Sequence, residues 1–225
     1  MSHRGLTKAL GGPISFNTMS GNRLGSWSAV AMFLIGLAYF VTLTIGVAMH
    51  GLTEPIVDPV LAVMEVLTLM SAPLIVVVIA AIHNYASVNR KIYGLIALAF
   101  TILFAGMTSA VHFVELTAVR QRGSGGIIWP SPEYAVELLA WNLFLGLALL
   151  FAAQVFDDGG PERGVRRGLL ISGVLCVAGI VGPAVGNMRL QLVGVLGYAV
   201  ALPVVCFMLA RLFRNDRGHR SDSAA

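Results

Sequence analysis

Charged side chains are scarce in this 225-residue chain, where Asp, Glu, Lys and Arg together make up 12% of the residues, about half the share of a typical soluble domain. That scarcity excludes a water-soluble globule. It also excludes a disordered chain, which needs high charge and few apolar residues. Only two cysteines are present, too few for a disulfide scaffold. Basic residues exceed acidic ones, 15 against 11, but the surplus is scattered over connecting segments and forms no basic face, so no nucleic-acid partner is expected. The HExxH, GxSxG, P-loop and CxxC patterns are all missing, which removes the usual catalytic signatures. A retinal-type Schiff base is disfavoured as well, because the span-adjacent lysine, Lys91, sits at a span end and not in mid-membrane.

Apolar surface is what the chain has in abundance: 57% of residues are hydrophobic and the mean hydropathy is +0.82. A membrane-spanning helix needs about 20 predominantly apolar residues. Runs of that kind occur at 24–49, 59–83, 92–116, 132–156, 168–188 and 190–212. They are apolar at successive positions and do not alternate, as from Leu74 to Ile82, so they read as helices and not as barrel strands. The expected fold is all-α: a polytopic integral membrane bundle of six transmembrane helices. Ser131 is placed to cap the fourth helix, with Pro132 in its first position and Glu133 complementing its dipole, and Asp58-Pro59 opens the second span similarly. Residues 1–23 and 214–225 are polar and read as flexible tails. The first apolar run is full-length and lacks a clear cleavage site after it, so it is expected to remain as an uncleaved helix.

Orientation follows from the basic residues, which are retained on the cytoplasmic side. Twelve of the 15 fall on one side, namely Arg4, Lys8, Arg23, Arg90, Lys91, Arg163, Arg166, Arg167, Arg211, Arg214, Arg217 and Arg220, and three on the other, Arg120, Arg122 and Arg189. Both termini are therefore expected in the cytoplasm. Compact loops and this charge bias suggest a bacterial plasma membrane. Cys176 and Cys206 lie in apolar surroundings and read as packing residues.

The ionisable residues inside the spans gather in the half away from the termini. Glu65 lies about 9 Å into the second span, and Glu137 about 7 Å into the fourth. Thr108, His112 and Glu115 share one face of the third helix, and Glu133, Glu137 and Trp141 one face of the fourth. An ionisable side chain within the bilayer costs about 2.5 to 3.5 kcal/mol on insertion scales, so it marks a paired interior position or a hydrated cavity. Glu65, His112, Glu115, Glu137, Trp141 and Asn142 form the candidate set for such a cavity. A competing reading makes them packing elements, with Arg120 and Arg122 pairing with Glu115 and Glu133. Gly179, Gly182, Gly186, Gly194 and Gly197 suggest close approach of the last two helices, and Pro73, Pro183 and Pro203 should bend their spans.

Four functions fit this pattern. The leading one is a non-enzymatic bundle that binds or passes a small solute or cation through an outward-facing cavity, with a homo-oligomer or a larger membrane assembly completing it. A structural subunit without a ligand is the second. The third is a metal-dependent intramembrane hydrolase using His50, His112 and glutamates. The last is a haem-bearing bundle with His50 and His112 as axial ligands; His50 is poorly placed for that role, and no cofactor is expected.

Overall fold

The computed structural model describes residues 18–51, 54–122 and 128–222, and the side chains of all of these except 18–20 and 216–222. Six helices long and apolar enough to cross a bilayer run through it: α1 (Gly21–His50), α2 (Val60–Tyr85), α3 (Val88–Val119), α4 (Pro132–Ala153), α5 (Glu162–Ala184) and α6 (Met188–Asn215). The protein is an all-α, multi-pass membrane bundle, with no strand among the described residues. Short connections force each helix to run antiparallel to the one before. Successive helices pack together, and α6 returns against α1 to close a ring.

The helices outrun the apolar stretches that announce them. The first begins at Thr18 and the last continues to Asp222, so residues 18–23 and 214–222, expected as tails, are helical. The expected tail segments 1–17 and 223–225 lie outside the described residues. On α5 the helix starts at Glu162 and takes in Arg163, Arg166 and Arg167. Apolar length marks where a helix meets hydrocarbon, whereas the backbone ladder continues for as long as water or side chains can satisfy its last groups.

Local sequence signals explain several of the ends. Ser131 adopts extended geometry and accepts a hydrogen bond from Tyr134 N at 3.2 Å, with Pro132 in the first turn of α4. Asn187 caps α6 by accepting from Arg189 N at 3.1 Å. The turn before it needs a left-handed residue, and Gly186 supplies one with φ of 70°. Pro73 lies inside an unbroken α2, while Pro183 stands in the last turn of α5. Close approach of α5 and α6 depends on glycine: a Cβ on Gly179 would stand 2.6 Å from Gly194 Cα, and one on Gly182 2.5 Å from Gln191 N.

Lipid and core divide the apolar side chains. Leu34, Phe40, Ile102, Leu196 and Val204 are exposed and meet the hydrocarbon, whereas Ile79, Ile82, Phe104, Leu145, Phe156 and Phe213 are fully buried. The bundle end where α1 begins and α6 finishes, here called the basic end, is tied by polar contacts. Tyr85 Oη donates to Glu162 Oε1 at 2.5 Å, Arg90 pairs with Asp157 at 2.5 Å, and Arg90 Nη1 donates to Phe156 O at 2.6 Å. Tyr85 also packs its ring against Phe156 and Phe213. Cys176 and Cys206 are free thiols buried in the core.

Candidate functional site

A cavity of about 200 Å³ lies between α1, α2, α3, α4 and α6, its lining running from Glu115, Tyr134 and Gln191, toward the end opposite the basic one, to Ser71 on α2, Trp141 on α4 and Pro203 on α6. Phe104, fully buried in the core, meets the ring of Trp141 in the cavity wall edge to face at 4.8 Å.

Its polar centre is a three-residue chain across three helices. His112, in the last α-helical turn of α3 and 8% exposed, presents Nδ1 to Glu65 Oε2 of α2 and Nε2 to Glu137 Oε1 of α4, the second contact at 2.7 Å. Glu137 Oε1 also accepts from Thr108 Oγ1 at 2.7 Å and from Trp141 Nε1, and Trp141 Nε1 lies 2.9 Å from Thr108 Oγ1 as well. The spacing of Thr108 and His112, and of Glu137 and Trp141, places each pair one turn apart on a single face, which is why three side chains reach the one carboxylate oxygen. Glu137 Oε2, by contrast, is buried and accepts no hydrogen bond.

Both imidazole nitrogens face carboxyl oxygens, so neither is turned toward a metal ion in this arrangement. Among the described residues no group of three or more His, Cys, Asp and Glu could hold one. His50, the second expected metal candidate, turns Nδ1 onto Gly46 O of its own helix at 3.1 Å.

Five of the six expected site residues line the cavity: Glu65, His112, Glu115, Glu137 and Trp141. Asn142 does not. It is fully buried where α4 meets α5 and α6, so near the glycines that a Cβ on Gly194 would come within 2.3 Å of its Oδ1, and both of its amide atoms lack hydrogen-bond partners. Neighbouring helical residues point about 100° apart, so Trp141 and Asn142 cannot share a face. Arg120, expected beside Glu115 and Glu133, is bound in fork fashion by Asp58, with Nε at 3.0 Å and Nη2 at 2.8 Å. That guanidinium holds the Asp58 carboxyl below its usual range.

The chain matches no family model, no curated protein and no solved structure. Its site must therefore be read from its own geometry.

Among the wall residues outside the expected site set are Tyr39, Tyr134, Tyr198 and Gln191. Tyr198 packs on Trp141 at 4.9 Å and accepts from Gln191 Nε2 at 3.2 Å. A phenol amid an apolar run was the available signal, since a buried Tyr hydroxyl needs a polar neighbour. Three segments beside the cavity are also π-helical, Glu115–Val119, Leu139–Phe144 and Leu196–Ala201. Each widened turn carries a lining residue, respectively Glu115, Trp141 and Tyr198; such turns recur at functional sites.

Proposed function

We infer that this membrane protein binds a small cationic solute in this cavity, reached from the side opposite its termini. The observation that carries the reading is the meeting of Glu65, His112 and Glu137 at one cavity from three separate helices. A bilayer-embedded carboxylate is costly, and this bundle places two on one imidazole and a third, Glu115, on the same wall. The charge bias supports both termini in the cytoplasm of a bacterial plasma membrane, which turns the cavity outward. Passage of the solute across the membrane would involve further subunits, in a homo-oligomer or a larger assembly.

Paired variants of Glu65 test this reading. Glu65→Gln retains size and hydrogen-bonding capacity, and Glu65→Leu removes both charge and polarity. In thermal melts of the detergent-solubilised protein with and without candidate cations, both variants should lose the cation-dependent stabilisation, and Glu65→Gln should keep the greater share of the fold. Equal losses of melting temperature, with cation-dependent stabilisation unchanged, would leave only the reading in which the triad clamps helices together.

A further inference from the structure

The lining of the cavity narrows the kind of cation it suits; this step rests on the reading of the cavity as a ligand site. Aromatic rings stand on three sides of it: Tyr39 from α1, Tyr134 and Trp141 from α4, and Tyr198 from α6. Methionine and leucine side chains fill much of the remaining wall, including Met32, Met64 and Leu61. Against this apolar and aromatic surface stand three carboxylates, Glu65, Glu115 and Glu137, and one imidazole. Arg120, outside the lining, is paired with Asp58, its Nη1 buried without a hydrogen-bond partner.

Glu137 is the most specific feature. Its Oε1 is held by His112, Thr108 and Trp141, while its Oε2 is buried without a donor. A buried acceptor with no partner is unfavourable, and a charged N–H group satisfies it best. An anion is excluded by the surplus of carboxylates. Hard metal cations require six or more oxygen ligands, or near-octahedral geometry with retained water, and among the described residues no group of three or more His, Cys, Asp and Glu could hold one. Aromatic faces, on the other hand, attract organic cations. The volume of about 200 Å³ leaves room for one small ring or branched chain beyond the ammonium.

We propose that the cavity binds a small primary or secondary ammonium compound bearing one apolar or aromatic group, its N–H groups directed to Glu137 and its body against the tyrosine and tryptophan rings. Phenethylamine, protonated at neutral pH, and 2-phenylethanol, its uncharged counterpart, are the probes. Binding is followed through the melting temperature and tryptophan fluorescence of the full chain in detergent. Phenethylamine should stabilise the protein and bind about tenfold or more tightly than 2-phenylethanol, and Glu137→Gln should erase that margin. Should Glu137→Gln fail to fold, Glu65→Gln reads the same charge dependence. Equal binding of the two probes, unaffected by either variant, overturns the ammonium proposal and leaves the cavity a ligand site. Stabilisation by calcium chloride but by neither organic probe overturns it in favour of a metal ion. No response to any of the three overturns both the proposal and the ligand reading beneath it.

Discussion

Glu65 and Glu137, on different helices, take opposite nitrogens of the same imidazole ring, that of His112. This single ring therefore joins α2, α3 and α4 at the cavity. Removing it deprives both buried carboxyl groups of the ring that lies between them.

His112→Ala should accordingly destabilise the protein by about 3 to 5 kcal/mol, the usual cost of stranding a buried charge. In a chain of this length that amounts to a fall in melting temperature of roughly 10 °C. Replacing all three members by leucine should recover most of the loss, because an apolar trio strands nothing. A His112→Ala protein that melts with the parent would show that the triad carries no folding energy.

Gly179 and Gly194 should respond differently to alanine. A Cβ on Gly194 meets the Asn142 side chain at 2.3 Å, whereas a Cβ on Gly179 meets the Gly194 backbone at 2.6 Å. Each change should cost about 1 to 3 kcal/mol alone. In an Asn142→Ala background the cost of Gly194→Ala should largely vanish, and that of Gly179→Ala should persist. A double-mutant cycle by thermal denaturation measures this; strict additivity for Gly194 and Asn142 would contradict the packing described.

The Asp58–Arg120 pair gives the protein an acid-sensitive contact at the end opposite its termini. Because the hydrogen bond from Arg120 lowers the folded-state pKa of Asp58, the contact adds stability above the ordinary carboxylate range and loses it as pH falls through the lowered value. Between about pH 5 and pH 3 the parent should therefore lose slightly more melting temperature than Asp58→Asn. Asp58 is half exposed, so the difference should be small, about a degree or two. A larger loss in Asp58→Asn than in the parent would reverse the sign of the effect.

Orientation is open to a direct measurement. Reporter fusions to the C-terminus should be active as cytoplasmic fusions and silent as exported ones, in keeping with the 12 basic residues on that side. An exported signal would place the cavity mouth on the cytoplasmic face.

Membrane insertion is decided residue by residue, and for that reason much of the protein was legible in its sequence. Span number follows from the length of apolar runs against bilayer thickness. The caps at Ser131 and the shared faces of Thr108 with His112 and of Glu137 with Trp141 follow from helical periodicity, which is a local property. The cost of burying a charge likewise singled out Glu65 and His112 before any neighbour was known. Partner choice is another matter, because it depends on how helices rotate and pack against one another. Only the closed ring decided that His112 faces Glu65 and Glu137 at once, that Arg120 reaches back to Asp58, and that Tyr39 and Tyr198 come to one wall. Asn142 shows the limit most clearly: beside Trp141 in the chain, it is turned by the helix toward the glycines of α5 and α6, away from the cavity its neighbour lines.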